Sequence, residues 1–265
     1  MIPEFAVRAW REYAPWIRME QVEQDLLICR TLVSIFSDDY LGSHLAFRGG
    51  TAIHKLFLSP QSRYSEDIDL VQVQAEPIKE TYDRLWEVLD FLGKPTIRQK
   101  RHNNTLIYHL QADTLPAIPI SLKVEINCKE HFSVLPMQRI PFSVNNVWFS
   151  GGCEIKTYQF DELIGTKVRA LYQRRKGRDL YDLYKALTCA KLDINAVMES
   201  YYKYMAFVVE HIPTKKEFLL NMDEKMQDKE FLNDIQDFIP AEEALRYNPL
   251  TAYQLVRDEI LERLK

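Results

Sequence analysis

The stretch "ISLKVEINCKE", residues 120–130, sets Leu122, Val124 and Ile126 against Lys123, Glu125 and Asn127 in strict alternation. A helix would scatter those apolar residues around its axis, so a period of two demands a β-strand with one buried face. "SEDIDLVQV", residues 65–73, alternates in the same way, with Asp67 and Asp69 on one face and Ile68 and Leu70 on the other. Around these strands the spacing is helical. Val22, Leu26, Leu27, Cys29, Val33 and Phe36 recur through residues 18–38, and after Pro77 a stripe of Ile78, Tyr82, Leu85, Leu89 and Leu92 follows. "SHLAFRGG" reads as a short strand entering a glycine turn. "TAIHKLFL" reads as a helix capped by Thr51 and stopped at Ser59-Pro60, and "TIRQKRHNNTLIYHLQA" as a hairpin turning at His102-Asn103-Asn104. Helix, strand, helix, strand, helix, hairpin, strand indicates a mixed sheet, not a regular βαβ array.

Beyond "GGCEIKTYQF" only helical patterns remain. Asp161 is placed to cap "ELIGTKVRALYQRR", Asp193 to cap "INAVMESYYKYMAFVVEH", and Pro213, Pro240 and Pro249 punctuate three further helical stretches. The expected organisation is an α/β domain over 1–157 and a helical domain over 158–265. With 265 residues, 46% of them hydrophobic, the chain can build a core for each. It has no run of about 18 apolar residues and no charged-then-apolar leader, so the expectation is a cytoplasmic protein with no membrane partner. Cys29, Cys128, Cys153 and Cys189 lie too far apart for a zinc motif and are expected as free thiols. A net charge of −4 excludes a protein that coats nucleic acid non-specifically, yet residues 161–190 sum to +3 while residues 191–265 sum to −5.

Two carboxylates at i and i+2 of a strand project together, and such hard oxygens suit Mg²⁺ or Mn²⁺. Glu125, on the polar face of a second strand, is the candidate third acid. Gly49 and Gly50 let the backbone approach a phosphate, while Thr51 and the helix start offer N–H groups and a hydroxyl. Each piece also has a plain reading: a solvated strand face, a turn, three exposed residues. The order of strand, Gly-Gly-Thr, helix and the strand bearing Asp67 and Asp69 within about 25 residues joins the glycines and aspartates into a nucleoside-triphosphate site.

"GGTAIHKLF…RYSEDIDL" resembles the signature of the nucleotidyltransferase β superfamily, and "ELIGTKVRALYQRRKGRDLYDLY" resembles the later motifs of the AbiEii family of bacterial toxins. The resemblance spans roughly residues 44 to 190. It implies an α+β fold, with a nucleotidyltransferase-like mixed sheet flanked by helices and a helical domain following. It also implies nucleotide binding by Gly49, Gly50 and Thr51, with Arg63 and Ser65 nearby, and metal ligation by Asp67 and Asp69. Lys167 matches a lysine that contacts nucleotide phosphate, and Asp179 and Asp182 form the Arg-Asp-x-x-Asp motif. The 15 residues between Thr51 and Asp67 exceed the usual spacer, with "SPQS" as the extra turn. The implied reaction moves a nucleoside monophosphate from an NTP to tRNA, arresting growth, with an AbiEi-type antitoxin encoded alongside.

Arg174, Arg175, Lys176 and Arg178 form either a solvated loop or an RNA or triphosphate contact. Asp179 serves either as an N-cap or, like Asp182, in orienting Lys167 or binding substrate; Asp182 could instead pair with Lys185. Tyr172, Tyr181 and Tyr184 read as packing residues in preference to base-stacking ones, and His54 as structural or surface. A small-molecule or protein nucleotidyltransferase, and a non-catalytic nucleotide-binding module, are the alternative functions.

Overall fold

The computed structural model describes residues 2–100, 102–112 and 118–265. Its backbone divides into two compact units, Met1–Tyr158 and Gln159–Lys265. In the first, a seven-stranded mixed sheet is built from β1 (Leu45–Arg48), β2 (Asp67–Gln72), β3 (Thr96–Lys100), β4 (Asn103–Gln111), β5 (Pro119–Asn127), β6 (Gln138–Asn145) and β7 (Ser150–Thr157). The strand order is β3-β4-β5-β2-β1-β7-β6. β2 runs parallel to β5 and β1 parallel to β7, while the other neighbours are antiparallel. The helices of this unit are α1 (Glu4–Trp10), α2 (Met19–Phe36), α3 (Asp39–His44), α4 (Gly49–Ala52) and α5 (Lys79–Val88). α2 packs on β5, β6 and β7 and is buried nearly all round, with Val22, Leu26, Ile28, Leu32 and Ile35 fully enclosed. Each such side chain contributes roughly 1.5–3 kcal/mol by leaving water, so an Asp in place of Leu26 would unfold this unit.

Three local expectations are corrected. The helix after β1 starts at Gly49, with Arg48 as its N-cap, so Thr51 lies inside the first turn and caps nothing. From Ile53 to Phe57 that helix loosens into a π-turn. The hairpin turns earlier than His102-Asn103-Asn104: Lys100 pairs with Asn103, and both asparagines already belong to β4. Arg101, within the same stretch, lies outside the described residues. The hairpin β6–β7 was not anticipated at all. Its alternation is blurred by Pro141 and the Gly151-Gly152 pair, and a proline is tolerated there because β6 is an edge strand.

The second unit contains α6 (Phe160–Gln173), α7 (Gly177–Cys189), α8 (Ile194–Val208), α9 (Lys215–Lys225), α10 (Lys229–Asn233), α11 (Ala241–Arg246) and α12 (Pro249–Glu259). α6 begins one residue before Asp161, with Gln159 at the N-cap, so Asp161 is not the cap; its carboxylate instead accepts the Asp193 N–H at 3.2 Å. Asp193 does cap α8, accepting from the Asn195 and Ala196 N–H groups. α6 and α8 touch at Gly165, where an added Cβ would lie 2.6 Å from both Ser200 Cβ and the Val197 carbonyl. Any larger residue there would pry the helices apart.

Candidate active site

β1 delivers the chain into Gly49, whose φ of +78° is the left-handed conformation glycine adopts most readily. This turn brings its Cα against the neighbouring strand: a Cβ on Gly49 would come within 2.8 Å of Asp69 Cγ. Asp69 itself pairs with Arg48 on one side and Glu125 on the other, while Asp67 pairs with Lys123. Paired residues project from the same face, so Asp67, Asp69, Glu125 and Lys123 share one surface of the sheet. Lys123 Nζ lies 3.4 Å from Asp67 Oδ1, and Asn103 Nδ2 donates to Glu125 Oε2 at 3.2 Å.

Burial pushes the Asp67 carboxyl up to about 6, with Asp69, Glu66 and Glu125 adding repulsion and Lys123 opposing it. A carboxylate so placed is stabilised by a cation. Among the described residues, no group of three or more His, Cys, Asp or Glu side chains is arranged to hold a metal ion. Asp67 and Asp69 nevertheless fit Mg²⁺, which keeps several waters and commonly takes only one or two carboxylates, the remainder coming from substrate phosphates. Glu125 stands beside Asp69 in register but closes no three-acid cluster with the pair.

Thr51 is buried, and its hydroxyl is used internally. It donates to the Asp67 carbonyl and lies 2.6 Å from Ser65 Oγ, lashing the glycine turn to the start of β2. Arg63 is also buried, with a guanidinium N–H donated to the Tyr64 carbonyl at 2.8 Å. Gly50 is enclosed within the first turn. His54 is buried too, which settles its position as interior and not surface.

The long spacer is held in place by residues of α2 that belong to no motif. Asp25, inside α2, accepts from the Trp10 and Trp16 indoles, from Lys55 Nζ at 2.7 Å and from Gln61 Nε2 at 3.2 Å. Gln61 donates in turn to the Arg63 carbonyl. Gln24, one residue away, donates its amide to the Glu66 carbonyl and to the Ser121 carbonyl of β5. The approach to Asp67 is thus clamped from α2. The available signal was a buried acid and amide, "EQD", in the middle of an apolar helical pattern.

In the helical unit Lys167 is buried between Asp179 Oδ1 at 3.0 Å and Asp182 Oδ2 at 2.8 Å, both carboxylates fully enclosed. Arg174 makes a two-pronged contact with Asp179 at 2.5 and 2.6 Å. Burial alone would raise the Asp179 pKa, but Lys167 and Arg174 outweigh it and hold the group below the ordinary carboxylate value. Asp179 therefore does not act as an N-cap, and Lys185 pairs with Glu243, not Asp182. Lys225, also unanticipated, donates to the Leu171 and Tyr172 carbonyls at the end of α6, and burial lowers its pKa to about 8. Arg175 lies near Glu224 and Asp228, while Lys176 and Arg178 both face Asp234. Tyr172 packs on Phe218, and Tyr181 and Tyr184 on Tyr247, so all three serve the helical core.

A turn that presses its glycine against one of two strand carboxylates, on a mixed sheet of this order, is the fold of nucleotidyltransferases. MenT4, a nucleotidyltransferase toxin from Mycobacterium tuberculosis H37Rv, shares it with a TM-score of 0.63 at 16% identity, covering 100% of this chain and 91% of that one. JHP933 from Helicobacter pylori does so with a TM-score of 0.50 at 15% identity, covering 92% of this chain and 94% of that one. No curated protein matches. The model of the AbiEii nucleotidyl transferase toxins of type IV toxin–antitoxin systems matches residues 30–257. The chain belongs to that family, and is a nucleotidyltransferase toxin. No helix among the described residues is long and apolar enough to cross a membrane.

Proposed function

We propose that this toxin transfers a nucleoside monophosphate from a nucleoside triphosphate to the 3′ end of tRNA in a Mg²⁺- or Mn²⁺-dependent reaction. An AbiEi-type antitoxin encoded alongside would restrain it. The observation that carries the reading is the register that sets Asp69 beside Glu125 and Asp67 beside Lys123, with Gly49 pressed onto Asp69.

A divalent ion held there would supply positive charge to the triphosphate and lower the pKa of the acceptor hydroxyl. Asp67 and Asp69 would hold the ion, with Glu125 next to Asp69 in register but outside that pair. Gly49 leaves the room that the Asp69 carboxylate occupies, and the N–H groups of the Gly49–Gly50–Thr51 turn would be offered to the phosphates. Thr51 and Ser65 fix that turn to the strand through their shared hydroxyl contact. Arg63 holds the spacer from within. Within the helical unit, Asp179 and Asp182 act as positioning residues that hold Lys167 between them. The acceptor hydroxyl oxygen forms a bond to the α-phosphorus as the bond to the bridging oxygen breaks, pyrophosphate leaves, and the hydroxyl proton passes to solvent.

The test is incubation of the protein with each labelled NTP and purified tRNAs, with RNA-free and D67A controls. Label in tRNA that disappears with EDTA and with D67A is the expected result. Label in protein or in a small molecule, or label that persists in D67A, rejects it.

A further inference from the structure

The four cations of "RRKGR" each face a carboxylate within the helical unit, so the basic stretch most visible in the sequence is largely neutralised there. The sheet's edge strand is the opposite case. β3 is exposed along its whole length, and its Arg98 and Lys100 have no carboxylate partner among the described residues.

Register carries these two cations onto the active face. Arg98 pairs with Thr105, Thr105 with Glu125, and Glu125 with Asp69. One row further along, Lys100 pairs with Asn103, which pairs with Asn127. Because paired residues project together, Arg98 and Lys100 stand on the same face as Asp67 and Asp69. Three interstrand steps of about 4.8 Å put Arg98 roughly 14 Å from Asp69, and the i to i+2 spacing puts Lys100 about 7 Å from Arg98. The first distance is too long for the phosphates of an NTP seated at the Gly49 turn. Both distances suit successive phosphates of a strand whose end lies at the carboxylates. Between them, Thr105 and Asn103 offer uncharged hydrogen-bonding groups of the kind that meet sugar hydroxyls, and Lys123, beside Asp67, adds a third cation on the same face.

We infer that Arg98 and Lys100 form a phosphate track across the β3–β4 edge that holds the backbone of a single-stranded RNA acceptor leading to Asp67 and Asp69. The inference rests on the proposed transfer to RNA, and it makes the hairpin, not the arginine cluster, the principal backbone contact.

The experiment measures RNA binding and nucleotide transfer separately, using full-length protein and purified tRNAs. R98Q/K100Q is compared with K191Q/K203Q, which removes the same charge from exposed positions of the helical unit. The single variants R98Q and K100Q serve as well, and each variant's thermal melt verifies folding. For R98Q/K100Q the Kd for RNA should rise at least about fivefold at physiological salt. The slope of log affinity against log salt should shallow by about 1.4, at roughly 0.7 per phosphate contact on a single strand. NTP binding should stay unchanged. RNA affinity and salt slope equal to those of K191Q/K203Q, or no binding of RNA by the wild type, would overturn the track. If the wild type binds RNA through these residues but transfers nothing to it, the acceptor reading fails while the track stands. If transfer to RNA proceeds and neither binding nor transfer responds to R98Q/K100Q, the track fails while the acceptor reading stands.

Discussion

Asp69 occupies the space that a side chain on Gly49 would need. A Cβ there would sit 2.8 Å from Asp69 Cγ and 2.9 Å from its Cβ, and the backbone at Gly49 is already in the left-handed region. The glycine is therefore what allows the turn and the carboxylate to share one site. Neither residue can be explained without the other.

Gly49→Ala should accordingly damage catalysis more than stability. Left-handed backbone costs about 1–2 kcal/mol for an L-residue, which one unit of this size can survive, but the Asp69 carboxylate must swing away. Transferase activity should fall at least about a hundredfold, on the view that a misplacement of about 1 Å costs that much. Melting of the purified variant alongside labelled-NTP incorporation distinguishes this from unfolding; activity within twofold of wild type would show that Asp69 tolerates displacement.

Asp67 predicts a pH dependence of a particular sign. Its pKa in the folded protein, about 6, lies above its ordinary 3.8, so the folded state binds the extra proton between those values and stability falls as pH rises through that window. The penalty is at most about 3 kcal/mol, reduced by solvent at a side chain one-third exposed. Asp67→Asn should then raise the melting temperature at pH 7.5 while abolishing transfer. Mg²⁺ should raise the wild-type melting temperature at that pH and leave the variant unmoved. A variant that is no more stable than wild type at pH 7.5 contradicts the assignment of that penalty to Asp67.

What could be read in advance followed from periodicity. β2 and β5 alternate cleanly because one face of each is buried, and their acids declared themselves by sharing the polar face. Register across strands is a tertiary property, so the pairing of Asp69 with Glu125, and of Arg98 with Thr105, was not legible from either strand alone. The partners of hydroxyls and cations were hidden for a similar reason. Thr51 looks like an N-cap by local rules, yet its oxygen is claimed by Ser65 and the Asp67 carbonyl, and the cations of "RRKGR" look free until Asp179 of α7, Glu224 of α9 and the two aspartates that flank α10 are brought alongside. Asp25 stayed hidden because its partners come from α1, the π-turn and the spacer.

The helical unit should respond to acid in the opposite direction to Asp67. Asp179 titrates below its ordinary value because Lys167 and Arg174 hold its charge. Its contribution is complete above the unfolded carboxylate pKa and is lost as pH falls through the lower folded value. Asp179→Asn leaves Lys167 and Arg174 without one charge partner, and breaking a buried pair in this way costs about 3–5 kcal/mol. Circular dichroism melts between pH 7 and pH 3 should show the wild type losing helical stability only near the acid end. The variant should be less stable throughout and less sensitive to acid. Equal acid sensitivity in both would remove Asp179 from the account.

Cys29 and Lys55 meet at the same buried aspartate, and this gives a chemical readout of the clamp on the spacer. Burial, with Asp25 adding to it, pushes the Cys29 thiol up to about 12 despite the ammonium of Lys55, whereas Cys189 is exposed. In native protein at pH 8, a thiol reagent should therefore modify Cys189 quickly and Cys29 only as fast as the fold opens. Lys55→Met strips Asp25 of its cation and should cost about 3–5 kcal/mol, which speeds the opening that exposes Cys29. It should also loosen the Gln61 contact and lower transferase activity through the spacer. Mass spectrometry of timed labelling measures the first effect. If Cys29 is labelled at the same rate in the variant as in the wild type, the Asp25–Lys55 pair is not what holds this part of the molecule closed.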